Sequence, residues 1–238
     1  MNPDLVLVAH PTPGVAQLTL NRPEKRNALS VPLLLALLTA LDTIEADPTQ
    51  RVLLLTGSGT VFCAGLDLAE AGDPKIAHLS AELIATVLRR LIESRLITIA
   101  VVQGAALAGG AGLVSACDFA FAEGSAQIGY PEPKRGLVAA LVMTLLRRQL
   151  RERDARRLLL TGESVSGTEA AAMGLVNAAV GSEQIMPTAL RTAALVLQGG
   201  PEAVVRTKRL FNDLWPATIA ADFAKATAVH LDARNSAE

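Results

Sequence analysis

The segment ITIAVVQGAALAGGAGLVSACD, Ile97 to Asp118, holds the first groups able to do chemistry. Ile97 to Val102 is a β-branched, apolar run and reads as a buried strand, and Gln103-Gly104 is a turn signal. Gly109-Gly110 then stands where a helical stretch, Ala111 to Ala116, begins. A strand that feeds a helix through glycines leaves main-chain N–H groups without partners at the helix start. Those donors, with the positive end of the helix dipole, favour a developing negative charge. The chemistry on offer is an anion or oxyanion site built from backbone amides. The same glycines also serve plain helix–strand packing, and a short glycine pattern does not separate the two. Glu132 is the second group to weigh: it lies between Pro131 and Pro133 on a loop after an apolar strand. In an apolar pocket its pKa rises and it suits proton transfer at neutral pH; on an open loop it is a solvated charge.

These groups need a scaffold, and the pattern is one of alternating strands and helices. Leu5 to Ala9 and Val15 to Asn21 predict a hairpin around the turn-rich His10 to Gly14. A basic loop, Asn21 to Asn27, precedes a helix from Val31-Pro32 to about Ala46, with Ser30 as N-cap. Val52 to Thr56 is a strand buried on both faces. Asp67 reads as the cap of a short helix. Residues 70–80 predict a polar, mobile loop, and Leu79 to Ser94 an amphipathic helix. Short strands follow at Phe119 to Ala122, Ala126 to Gly129 and Leu175 to Val180, with helices at Val138 to Leu150, Glu152 to Leu160 and Thr168 to Met173. Beyond about residue 181 only helices are expected: Ser182 to Leu197, Pro201 to Leu214 and Thr218 to about Ala233. The expected organisation is a core over residues 1–180 and a helical region over 181–238.

Composition narrows the function classes. Half of the 238 residues are apolar, ample for a full core, and the 18 glycines fit an α/β class. A net charge of -1 and 3% aromatics argue against a nucleic-acid surface. No uncharged apolar run reaches the ~18 residues of a membrane span. The N-terminus lacks a basic stretch followed by a long apolar one, so a soluble cytoplasmic protein is expected. Cys63 and Cys117 have neither CxxC nor zinc-ligand spacing and are expected to be buried thiols. His10, His78 and His230 are scattered and form no Ser/His/Asp order. No metal site is expected.

Two segments belong together: VLLLTGSGTVFCAGLDL (Val52 to Leu68) and TIAVVQGAALAGGAGLVSACDFAFA (Thr98 to Ala122). They resemble the signature regions of the crotonase family, the enoyl-CoA hydratase/isomerase superfamily. LTLNRPEKRNALS (Leu18 to Ser30) resembles its CoA-loop motif, SAQIGYPEPKRGLV (Ser125 to Val138) the segment with a catalytic acid, and LTGESVSGTEAAAMGLVNAAV (Leu160 to Val180) its post-core pattern. The resemblance spans nearly the whole chain in the family's order. It implies an α/β fold with a ββα spiral core and a helical C-terminal region for trimer packing and active-site cover. It also implies trimers or hexamers, and an acyl-CoA thioester as substrate with no further cofactor. The implied oxyanion donors are the backbone N–H groups of Leu66 and Gly109, which agrees with the reading of the glycine pair above. The implied CoA and substrate contacts come from Lys25, Arg26, Ala28, Cys63, Ala64, Asp67 and Leu68. Lys25 and Arg26 by themselves read equally as a solvated basic loop.

The sequence departs from the family pattern at one point. Hydratases carry two carboxylates with a water between them; the position of the first is Gly112 here, and that of the second is Glu132. Glu132 is therefore the acid/base expected from the resemblance. One reading is a hydratase, similar to bacterial 3-methylglutaconyl-CoA hydratases in its Gly110-Ala111-Gly112-Leu113-Val114 run and its Glu132 to Leu137 stretch. Another is a Δ3,Δ2-enoyl-CoA isomerase with one base. A third, of another class, is an acyl-CoA binder without turnover. Lys134 and Arg135 are expected to face solvent; if they faced the pocket they would suit a substrate carboxylate. Tyr130 is open between packing and the acyl pocket, Asp118 is expected to bond backbone, and Trp215 to pack in the tail.

Overall fold

The computed structural model describes residues 5–67, 69–70, 74–214 and 219–235. A six-stranded sheet runs through it in the order β1 (Val6–Thr12), β2 (Val15–Leu20), β3 (Val52–Gly57), β4 (Ile97–Val102), β6 (Phe119–Glu123) and β9 (Ala178–Val180). The β1–β2 pair is antiparallel and every other pair is parallel. A second sheet joins β5 (Ala105–Leu107), β7 (Gln127–Gly129) and β8 (Ser164–Ser166). The continuous apolar runs of β3 and β4 are buried at every position because helices cover both faces. Leu53 and Leu55 point to the core shared with α1 (Val31–Ala46), α2 (Pro74–Glu93), α3 (Gly109–Ala116) and α4 (Ala140–Gln149). Val52 and Leu54 point the other way, onto α7 (Ile185–Gln198).

The helix ends are closed by local chemistry. Ser30 caps α1 by accepting from the Leu33 amide, and Ser166 with Glu169 forms a reciprocal capping box at α6 (Gly167–Met173). Gly162 ends α5 (Glu152–Thr161), and Gly174 ends α6, each in the left-handed region. Three basic side chains gather carbonyls at helix C-termini, where the dipole favours positive charge. Arg95 donates to Glu45 O and Asp47 O at the end of α1, and Arg51 to Leu197 O and Gly199 O at the end of α7. Lys208, on α8 (Pro201–Asp213), reaches Leu91 O in the last turn of α2 and Leu96 O beyond it, and pairs with Asp118 at 2.7 Å. Asp118 also accepts from the Thr98 amide, the backbone bond expected of it.

Past Val180 the described elements are helical, ending in α9 (Ile219–Asn235). That helix packs on α2 and α4, buries Phe223 and Ala226 in the main core, and is pinned by an Arg148–Asp222 pair at 3.2 Å. Among the described residues no helix is long and apolar enough to cross a membrane.

Several expectations are corrected. The loop expected over 70–80 is helical from Pro74, so α2 is longer than its amphipathic part; a proline is tolerated in the first helical turn because its missing N–H has no helical partner there. β1 runs on to Thr12, its Pro11 accommodated on a sheet edge. The strand after α6 starts only at Ala178, because Leu175 and Val176 are drawn into the helix end through Ala170 O. β5 and β8 were not expected; three residues are too few to show a period. Asp67 does not cap a helix: its Oδ1 accepts from the Ala69 amide in a turn, and its Oδ2 pairs with Arg22. Leu68 and Trp215 lie outside the described residues.

Candidate active site

The site begins where two chain segments run side by side. Cys63 N donates to Ala105 O and Leu107 N donates to Cys63 O, so the end of the 57–66 loop lies parallel to β5. Beyond this bridge the two chains reach Gly65-Leu66 and Ala108-Gly109. Gly65 has φ +89°, and a Cβ there would stand 2.6 Å from Leu107 O and 3.3 Å from Gly109 N. Only glycine allows that approach. Gly110 is pressed just as hard, its missing Cβ meeting the Cys63 carbonyl.

The turn into α3 is held at Ala108, a buried non-glycine residue at φ 50°, ψ -122°. Such a conformation costs about 1–3 kcal/mol and persists only when its surroundings impose it. Here Ala108 N donates to Gly129 O and Ala108 O accepts from Gly112 N. The result is that Gly109 opens the helix immediately after this turn. Among the described residues, neither the Leu66 amide nor the Gly109 amide has an acceptor.

Both residues line one narrow cavity of about 50 Å³, and Glu132 lines it with them. Pro131, Ile84, Val138 and Leu141 supply apolar wall, and His230 closes it from α9. Glu132 begins a 3₁₀ turn, Glu132–Arg135, that ends on Gly136 in the left-handed region. Its Oε2 is buried with no hydrogen-bond partner. Loss of water is the main cause that pushes its pKa from 4.5 up to about 7; its own backbone amide and the Arg135 charge pull weakly the other way. A carboxyl half-protonated near neutrality both takes and gives a proton.

The sequence expectation of an absent first acid has a structural counterpart. A Cβ at Gly112 would stand 2.7 Å from Val142 Cγ1 and 3.5 Å from the Leu88 methyls. Apolar side chains occupy the space that a second carboxyl would need.

The basic loop is tied to the same junction. Asn27 is fully buried: its Nδ2 donates to Ser58 O and Val61 O, and its Oδ1 accepts from the Arg22 amide. Arg22 also donates to Ala28 O and to Asp67. Ala64 N donates to Arg26 O, and the Cys63 thiol donates to Asn27 O. Lys25 and Arg26 are left exposed at the rim of this framework, Arg26 at φ 51°. So Ala28, Cys63, Ala64 and Asp67 are brought beside the Lys25-Arg26 turn, while Leu66, Gly109 and Glu132 meet in the cavity. Cys63 and Cys117 are buried free thiols, which burial pushes up to about 12.

With this geometry in view, comparison with known proteins decides the family. The family model described as enoyl-CoA hydratase/isomerase matches residues 11–237. The chain belongs to the enoyl-CoA hydratase/isomerase family. It is 41% identical over 203 residues to a putative enoyl-CoA hydratase of Thermus thermophilus, covering 82% of this chain and 79% of that one. It is 36% identical over 201 residues to a mevalonyl-coenzyme A hydratase of Aspergillus fumigatus, covering 83% and 74%. A crystal structure of an enoyl-CoA hydratase/isomerase from Xanthobacter autotrophicus superposes with a TM-score of 0.89 at 30% identity, over 96% of this chain and 87% of that one. The crotonase-type fold expected from the sequence is therefore the fold observed.

Other groups of this hydratase/isomerase chain fall into place. Tyr130 is fully buried and shares a hydrogen bond with Ser115, so it packs rather than lines the cavity. Lys134 and Arg135 are exposed, as expected, although Arg135 also borders the cavity. Sequence reasoning missed three contributors. Asn27 and Arg22 lay in a stretch read for its positive charge and its likeness to a CoA-loop motif, in which neither was singled out. His230 gave no local signal, because its approach to the cavity depends on how α9 packs.

Proposed function

We propose that this chain hydrates a 2-enoyl-CoA through a thioester enolate. The reading is carried by one observation: two residues whose amides have no acceptor among the described residues, Leu66 and Gly109, line one cavity with Glu132, whose Oε2 is buried without a partner. The thioester oxygen accepts from the Leu66 and Gly109 amides. The Glu132 carboxylate takes a proton from water as the water oxygen bonds to C3, and the C2–C3 electron pair moves onto the thioester oxygen. The enolate then collapses and Glu132 returns the proton to C2, so addition is syn. Each amide contributes about 2.7–4 kcal/mol to the enolate-like transition state. Lys25 and Arg26 meet the CoA phosphates, with Ala28, Cys63, Ala64 and Asp67 around the thioester arm, and the described helices beyond Val180 cover the site and pack trimers or hexamers. The relatives named hydratases support addition of water, and the mevalonyl-coenzyme A relative supports a branched acyl group, of which a methylglutaconyl group is one.

The filling of the Gly112 site by Val142 and Leu88 favours a second reading, a Δ3,Δ2-isomerase in which Glu132 alone carries a proton from C2 to C4. The two are separated by absorbance of the conjugated enoyl thioester. Hydration removes it from crotonyl-CoA or methylglutaconyl-CoA; isomerisation creates it from a 3-enoyl-CoA. A binder without turnover gives affinity and neither change. Under either catalytic reading Glu132→Gln lowers the rate by about 10²–10⁴, and full turnover by that variant would sink the role of Glu132.

A further inference from the structure

Glu132 shares its turn with a cation. Side chains three apart in a 3₁₀ helix eclipse one another, at a rise of about 2 Å per residue. In the turn Glu132–Arg135, Arg135 therefore projects on the same side as Glu132, about 6 Å further along. Both residues line the cavity. Lys134 goes elsewhere: a Cβ at Gly162 would stand 3.2 Å from its Cγ, so its stem lies against the end of α5. Among the described residues Arg135 pairs with no carboxylate, whereas Arg148 and Arg157 each have one. Its charge is nonetheless felt in the site, since burial raises the Glu132 pKa and Arg135 draws it the other way. Glu132, Arg135 and His230 apart, the described lining residues are apolar. The space, about 50 Å³, is small beside the ~150 Å³ of a cavity that takes up benzene. The site thus offers a short apolar passage with one permanent cation at its edge.

We propose that Arg135 reads a carboxylate at the far end of a short acyl chain, so that the preferred ligands are CoA thioesters of small dicarboxylic acids. With Glu132 serving C2 and C3, a carboxylate carried on C4 comes within the length of an arginine side chain three residues on. The guanidinium fork takes a carboxylate through two parallel N–H donors. Its charge also offsets the repulsion between that carboxylate and Glu132. This specificity role rests on the acyl-CoA reading above and goes beyond it by naming the end of the chain.

The test is calorimetric binding of glutaryl-CoA and butyryl-CoA. Both are saturated, so neither can be hydrated, and they differ by one terminal carboxylate; contacts to the CoA portion cancel in the ratio of their affinities. Wild-type protein is expected to bind glutaryl-CoA about 10- to 100-fold more tightly, the worth of a charge-assisted hydrogen bond. Arg135→Met, at an exposed position, should abolish that preference. Arg135→Lys should keep part of it, and Lys134→Met should keep it all. Absence of the preference in the wild type overturns the proposal, and so does its survival in Arg135→Met. Equal loss in Lys134→Met also overturns it, because the general field of the basic turn would then be the cause. Failure to bind either thioester overturns the acyl-CoA reading and the proposal with it. Hydration of crotonyl-CoA, measured alongside, keeps the two claims apart. Hydration without a glutaryl preference leaves the hydratase reading standing and sinks the role of Arg135; a glutaryl preference without hydration does the reverse.

Discussion

Replacing Glu132 by Gln should make the folded chain more stable as well as inactive, and more so as pH rises. The side chain carries a proton far more readily when folded than when unfolded, because burial without a partner penalises its charge. With a folded pKa raised to about 7, the group's contribution is fully present below its unfolded value of 4.5 and is lost as pH rises through about 7. Above that, folding must bury a carboxylate at a cost of about 3 kcal/mol, the gap between the two values at 1.36 kcal/mol per pH unit. Glutamine has nearly the same shape and no charge, so its own cost does not change with pH. Urea unfolding of both proteins from about pH 5 to about pH 8 should show the variant gaining about 2–3 kcal/mol relative to the wild type. A difference that stays flat across that range refutes the placement of Glu132 in a dry cavity. A difference that shrinks with pH points instead to a carboxylate stabilised by a cation, with Arg135 as the one at hand.

Gly112→Ala forces a methyl against Val142 and should destabilise by about 1–3 kcal/mol before helix propensity returns about 1 kcal/mol; adding Val142→Ala should offset that loss in a double-mutant cycle, and strict additivity would count against the contact. Asn27→Ala leaves the carbonyls of Ser58 and Val61 and the Arg22 amide without their partner. It should cost about 1–3 kcal/mol in denaturant unfolding, and it should weaken acyl-CoA binding measured by calorimetry, because the basic loop loses its anchor. Lys208→Met keeps the aliphatic stem but takes the ammonium from Asp118 and from the carbonyls of Leu91 and Leu96 at the end of α2, so unfolding free energy should fall by about 3 kcal/mol; a neutral result would show that water replaces the ammonium there.

What the amino-acid order determined by itself was local or carried by motif. The runs of β3 and β4 needed no neighbours to be read as buried strands, since short, β-branched and mainly apolar runs without polar alternation fit strands covered on both faces. Ser30 before Val31-Pro32 announced the start of α1, and Gly109-Gly110 announced a helix whose first amides go unused, because capping and glycine chemistry act within a few residues. The family likeness then paired Leu66 with Gly109 and singled out Glu132. Tertiary structure decided the rest. Ala108 takes a left-handed φ that no sequence rule assigns to alanine, because Gly129 O and Gly112 N hold it from both sides. Whether Glu132 was a surface charge or a dry carboxyl depended on Pro131, Val138 and α9 closing over it. Gly112 revealed a missing acid in the sequence, but only packing showed Val142 and Leu88 in its place. His230, nearly a hundred positions from Glu132, came to the same cavity through the fold of the helical tail; a contact between residues so far apart leaves no periodicity behind, and only three-dimensional closure makes it visible.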